Sequence, residues 1–165
     1  MSDLNRHIVA FPGSFDPVTL GHIDVVRRTM DLVGGLVVGV LDNPEKNAVF
    51  SVEERVALLK SATEGIDGVT VHSFRGLAVD FASDCGARWI LRGVRSASDV
   101  AYELPMAHSN RHCGSEKIET LFVPPSPEVA FVSSTLVRQI AAAGGELGSF
   151  VTPVVEDALR GKFPR

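Results

Sequence analysis

Five short runs of β-branched and apolar residues recur along the chain, each followed by a stretch with helical periodicity. The runs cover residues 7–11, 36–41, 69–74, 89–92 and 120–123. They lack clean in–out alternation, the pattern of strands covered on both faces, and such strands belong to a parallel sheet with helices on either side. The resulting β-α order predicts a doubly wound, Rossmann-like α/β domain with a five-stranded parallel sheet. Right-handed crossovers then place every strand C-terminus along one edge, where ligands of such folds bind.

The helical stretches carry their own signals. Ile23, Val26, Met30 and Val33 fall on one face, with Asp24, Arg27, Arg28 and Asp31 opposite. Ser51 and Glu54 form a capping box ahead of a stripe of Val52, Val56 and Leu59. Leu77, Phe81 and Cys85 make another stripe, which Gly86 closes. A helix over residues 97–112 contains Pro105, which removes a donor and crowds the preceding turn, so a kink or a later start is expected. A further helix begins at Ser133 or Ser134 and closes at Gly144-Gly145, and a short terminal one spans 153–159. At 165 residues, with no repeat, linker or low-complexity tract, one domain over 1–165 is expected.

Charge narrows the partners. The formal net charge is −4, which disfavours nucleic acid and anionic membranes, so a polyanionic ligand must meet a local basic cluster. Cys85 and Cys113 are too few for a disulfide framework and suit free thiols in a reducing cytoplasm. The polar start shows no signal-peptide pattern, and no apolar run has the length of a membrane span. The expectation is a cytoplasmic protein.

Three segments fall on the predicted ligand edge. The first strand runs into Pro12-Gly13-Ser14-Phe15-Asp16-Pro17 and enters a helix near Gly21-His22. Amides and a helix N-terminus there suit a phosphate, and Gly13 allows close approach. Taken alone, such a segment is more often an ordinary strand-to-helix turn, since it is neither a Walker loop nor a dinucleotide fingerprint. Arg92-Gly93-Val94-Arg95 follows the fourth strand and offers bidentate phosphate contacts, although a lone arginine pair more often makes surface ion pairs. Ser133-Ser134-Thr135 opens a helix that carries Arg138, and capping accounts for one serine but not for three hydroxyls. Together the three form a phosphate-binding constellation.

The Thr19–His22 stretch (T-x-G-H) and the Ser133–Arg138 stretch (S-S-T-x-x-R) resemble the two signatures of the nucleotidylyltransferase superfamily. With residues 12–17, Arg92 to Arg95 and Asp99…Tyr102-Glu103, the chain closely resembles the bacterial phosphopantetheine adenylyltransferase family over almost its whole length. Ala101 and Pro105 depart from the residues usual in that family, as does Phe11.

The resemblance implies transfer of the adenylyl group of ATP to 4′-phosphopantetheine, giving dephospho-coenzyme A and pyrophosphate. It implies catalytic roles for His22, Lys46 and Arg95. Ser14, Lys46, Leu77, Ala78, Arg92 and Asn110 would bind the pantetheine substrate. Gly13, Ser14, Phe15, His22, Gly93, Arg95, Glu103, Ser133, Ser134 and Thr135 would bind ATP. Magnesium, with no protein side chain as ligand, and a homohexamer complete what it implies. A related adenylyl- or cytidylyltransferase with another acceptor, and a non-catalytic nucleotide or coenzyme A sensor, are the alternatives.

The remaining polar residues have plainer readings. His7 and His72 lie on or beside strands and read as structural, and Trp89 as core. His108, His112 and Cys113 share helical spacing, but no fourth ligand has convincing spacing for zinc.

Overall fold

The computed structural model describes residues 7–43, 47–114 and 117–164. Its strands are β1 (Ile8–Gly13), β2 (Gly35–Leu41), β3 (Val69–Phe74), β4 (Trp89–Gly93) and β5 (Glu119–Val123). Its helices are α1 (Leu20–Met30), α2 (Val52–Ala62), α3 (Ala78–Asp84), α4 (Ala97–Cys113), α5 (Ser134–Ala142) and α6 (Pro153–Lys162). All strand pairs are parallel and the sheet order is β3-β2-β1-β4-β5. The chain builds outward from β1 to β3, then crosses back to place β4 against the other side of β1. The C-termini of β1 and β4 therefore flank a topological switch point, the place where such sheets bind ligands.

Alternation within the strands explains why the sequence showed none. Val9, Phe11, Leu36, Val38, Val40 and Leu91 point to the face covered by α1, α2, α5 and α6. Ala10 and Ile90 point the other way, to Val79, Phe81 and Ala82 of α3 and to Ile118. Both sets are apolar because both faces are covered. On the thinner face Phe81 lies against Gly39, where an added Cβ would come within 2.4 Å of the ring.

The capping box of α2 is present: Ser51 Oγ accepts the Glu54 N–H and Glu54 Oε2 accepts the Ser51 N–H at 2.7 Å. The buried stripe of this helix, however, consists of Arg55, Leu58 and Leu59, with Val52 and Val56 only partly covered. In α3 the buried residues are Val79, Phe81 and Ala82, whereas Leu77 is the N-cap and 58% exposed. Leu77 precedes the first helical turn and so does not share the face that Phe81 presents to the sheet.

Helix α4 starts at Ala97 and runs through Pro105 to Cys113 without a break, so the later start does not occur. No residue of α4 is buried, and the Ala101 carbonyl that loses its Pro105 partner belongs to an exposed residue that water can satisfy. Ion pairs hold this helix to the sheet, Arg92 of β4 with Glu103 and Arg111 with Glu119 of β5, while Arg95, just ahead of the helix, pairs with Asp99 in its first turn.

Candidate active site

At the switch point lies a cavity of about 600 Å³, within the range of pockets for small molecules and cofactors. Gly13, Ser14, Phe15 and His22 line it from the β1–α1 side, and Arg92, Gly93 and Arg95 from the end of β4. Ser133, Ser134 and Thr135 close it from the start of α5, and Leu41, Asn43, Asn47 and Ala48 from the end of β2. Four arginines (Arg55, Arg92, Arg95 and Arg138) face one carboxylate, Asp16, in this lining. The local balance is basic in a chain of net charge −4, which suits a polyanion.

His22 is fixed by the turn that carries it. It is the third residue of α1, and Thr19, the N-cap, donates its main-chain N–H to His22 Nδ1 at 3.1 Å. Thr19 Oγ1 accepts the His22 N–H in return, so threonine and histidine form a capping box. With Nδ1 accepting, the neutral ring carries its proton on Nε2. Burial, together with the charges of Arg95 and Arg92, lowers the His22 pKa from 6.5 to about 4. At neutral pH the ring is therefore an uncharged N–H donor in the cavity wall.

Phe15 packs edge-on against His22 and Phe11 and takes a left-handed backbone with φ of 46°. That conformation is costly for a non-glycine residue and typical of sites where the surroundings hold it in place. Gly13 makes room for the ring: a Cβ there would lie 2.9 Å from two Phe15 ring carbons.

The hydroxyls of α5 serve structure first. Ser133 Oγ caps the helix by accepting the Leu136 N–H at 3.1 Å, and Ser134 Oγ donates to the Pro17 carbonyl at 2.8 Å. Thr135 Oγ1 accepts from Arg138 at 3.4 Å. What the helix start offers a ligand is its dipole and the first-turn amides of residues that line the cavity.

All four arginines are already engaged, and two of them pair with acids of α4. Arg92 grips Glu103 through Nε at 2.7 Å and Nη2 at 2.5 Å, and donates Nη1 to the Pro12 carbonyl at 2.7 Å. Arg95 binds Asp99 through its main-chain N–H at 2.8 Å and Nε at 3.2 Å. Partial burial pushes the Asp99 carboxyl up, but the Arg95 hydrogen bonds and charge outweigh it and hold the carboxyl below its usual value.

Of the residues singled out in the sequence, Gly13, Ser14, Phe15, His22, Arg92, Gly93, Arg95, Ser133, Ser134 and Thr135 all line this cavity. Glu103 meets it through Arg92. Leu77 and Ala78 at the start of α3, and Asn110 on α4, lie outside the lining. Lys46 lies outside the described residues. His108, His112 and Cys113 sit on exposed turns of α4. Among the described residues no group of three or more His, Cys, Asp or Glu is placed to hold a metal ion.

Asp16 and Arg55 were given no role in the site, and Arg138 was named only as the end of its signature stretch, yet all three line the cavity. Arg55 could have been found by position, since it shares a helix face with Leu58 and Leu59, three and four residues on.

Comparison with known proteins agrees with this geometry. The cytidylyltransferase-like family matches residues 10–140. A phosphopantetheine adenylyltransferase of Prochlorococcus marinus is 46% identical over 153 residues, covering 93% of this chain and 97% of that protein. One from Cutibacterium acnes is 46% identical over 154 residues (93% and 97%), and one from Thermotoga neapolitana 42% over 156 residues (94% and 96%). Among solved structures, a putative nicotinate-nucleotide adenylyltransferase from Vibrio parahaemolyticus superposes with a TM-score of 0.63 over 94% of this chain and 91% of its own. At 16% identity it speaks to the shared fold. The full-length similarity and the convergence of both signature stretches on one basic cavity place the chain in the phosphopantetheine adenylyltransferase family.

Proposed function

We propose that the protein transfers the adenylyl group of ATP to 4′-phosphopantetheine, forming dephospho-coenzyme A and pyrophosphate. The observation that carries this reading is the meeting of His22, Arg92, Arg95 and the start of α5 around a single cavity. The acceptor, a phosphate monoester, is anionic at neutral pH and needs no base to activate it. Catalysis then consists of holding two polyanions in line and stabilising charge on the transferring phosphorus and the departing pyrophosphate.

In this reading His22 donates Nε2–H to a phosphate oxygen of ATP, Arg95 binds the nucleotide phosphates, and the first turn of α5 surrounds the triphosphate. Glu103 contacts the nucleotide. Gly13, Phe15 and Gly93 let main chain and ligand approach closely. Ser14 and Lys46 hold the acceptor phosphate, Ser14 as a hydrogen-bond donor and not as a nucleophile. Arg92, Leu77, Ala78 and Asn110 serve the pantetheine side. For Arg92 that requires sharing or releasing its grip on Glu103.

Magnesium belongs to the proposal as a companion of the triphosphate. Asp16 is the only carboxylate among the described residues of the lining, and it already accepts two main-chain N–H groups beside Arg138. The wall therefore suits the anion better than the cation, and the metal would be carried by phosphate oxygens. Chelation with EDTA should abolish turnover; full activity in its presence would remove the metal.

The homohexamer is likewise proposed. Its support is the exposed apolar surface of α4, where Val100 with Leu104 and Tyr102 with Met106 form two i,i+4 stripes. Sedimentation should give a particle of six chains, and a monomer would reject it. A cytoplasmic location is supported by the two free cysteines. Among the described residues, no helix is long and apolar enough to cross a membrane.

The direct test is pyrophosphate release from magnesium–ATP with 4′-phosphopantetheine, pantetheine or nicotinate mononucleotide. Release with 4′-phosphopantetheine alone is expected. Release only with another acceptor would keep the chemistry and overturn the acceptor.

A further inference from the structure

Two buried charges in the cavity wall have no part in the transfer chemistry described above. Asp16 is 7% exposed and Arg55 5% exposed. Asp16 Oδ2 accepts the Val49 N–H at 2.9 Å and Oδ1 accepts the Phe50 N–H at 3.0 Å. From the other side Arg138 Nη1 donates to the Asp16 main-chain carbonyl and lies 3.6 Å from Oδ2. Arg55 gives its guanidinium to main-chain carbonyls: Nη1 to Ser14 at 2.7 Å and Leu41 at 3.0 Å, Nε to Phe50 at 3.2 Å and Ser51 at 3.4 Å.

These bonds join segments far apart in sequence. Asn47 and Ala48 line the cavity on the β2 side, directly before the two amides that Asp16 holds. Ser133, Ser134 and Thr135 line the opposite flank, on the helix that carries Arg138. The side chain of Asp16 reaches both flanks. A carboxylate is required for this, because two adjacent N–H groups need two acceptors and Arg138 needs a negative charge. An amide of the same shape offers one acceptor and turns an NH2 toward the other partner.

We propose that Asp16, braced by Arg55, is a positioning residue that sets the separation of the two substrate-binding flanks. It thereby controls the in-line approach of the acceptor to the α-phosphorus. The proposal rests on the two-substrate reading given above. Asp16 touches neither substrate; it acts through the main chain of Val49 and Phe50 and through Arg138.

The test is Asp16→Asn, read by pyrophosphate release at saturating magnesium–ATP and 4′-phosphopantetheine, with calorimetric ATP affinity and the thermal midpoint measured alongside. Misplacement by about 1 Å costs on the order of 100-fold in rate, so kcat should fall about 10- to 100-fold. The Kd for ATP should stay within about threefold, because the nucleotide uses one flank at a time. A folded variant with near-normal kcat would overturn the proposal, as would parallel losses in kcat and ATP affinity, the mark of general damage. If Asp16→Asn does not fold, Arg55→Lys, which keeps the charge but cannot span these carbonyls, should show the same split; normal turnover there would overturn it. Should the unaltered protein release no pyrophosphate with 4′-phosphopantetheine, the functional reading fails. Amide exchange then decides about Asp16 alone: lost protection at Val49 and Phe50 in Asp16→Asn supports the joint, and unchanged protection overturns it.

Discussion

His22 shows how one side chain is tuned by the turn that holds it. Thr19 takes its Nδ1, the cavity wall desolvates the ring, and Arg95 and Arg92 oppose its protonation. Removing a donor of this kind costs about 10²- to 10³-fold in kcat, so His22→Ala should lose that much while remaining folded. Near-normal turnover would withdraw its role. In the unliganded protein the ring resonances should show no titration between pH 8 and pH 5, because the pKa lies at about 4; an inflection near 6.5 would contradict its burial. This residue was legible in the sequence because T-x-G-H is a local pattern at a strand-to-helix turn. The roles of Asp16 and Arg55 were not, even though Arg55 shares a helix face with Leu58 and Leu59, since their partners are main-chain groups at Val49, Phe50, Ser14 and Leu41. Main-chain contacts spanning 14 to 41 positions leave no trace in residue type. A helical arginine preceded by two glutamates reads as a solvated charge.

At the level of elements, strands and caps were readable because their signals are short in range. Ser51 with Glu54 predicted the start of α2, and Gly144, with φ of 73°, follows the end of α5. Helix α4 was harder to read, because Pro105 argues against a helix locally and only its ion pairs reveal what keeps it in place. A helix without buried residues, anchored by exposed and half-buried charges, should respond to salt. In about 1 M salt the screening length falls to roughly 3 Å. Hydrogen exchange of α4 amides should then rise several-fold ahead of those in β1, which is buried on both faces. Equal protection of α4 at low and high salt would mean that something other than charge secures it. Since Arg92 and Arg95 also line the cavity, ATP should alter that protection too.

For the molecule as a whole, the sheet is covered unevenly, and the thin side depends on close fits. Gly39→Ala would push a methyl into the Phe81 ring and toward Phe74, 3.0 Å away. Overpacking of this sort costs about 1–3 kcal/mol, readable as a lower urea midpoint with an unchanged slope; a midpoint equal to wild type would show that the ring can shift freely. Acid should weaken the fold in a defined window. Between pH 6.5 and about 4 the unfolded chain binds a proton that folded His22 refuses, so stability falls as pH is lowered and levels off below that range. His22→Gln should flatten this slope in urea titrations, and an unchanged slope would assign it to other groups. The strand order has one further consequence, for the chain as it is made. β1 leaves the ribosome first but ends up mid-sheet, and its second neighbour, β4, begins only at Trp89. At about 5–20 residues per second, the nascent half-sheet β3-β2-β1 waits roughly 1–4 s, from Phe74 to Gly93, with the apolar edge of β1 unpaired. That interval is when this protein most needs a chaperone, and slow codons placed before Trp89 would lengthen it.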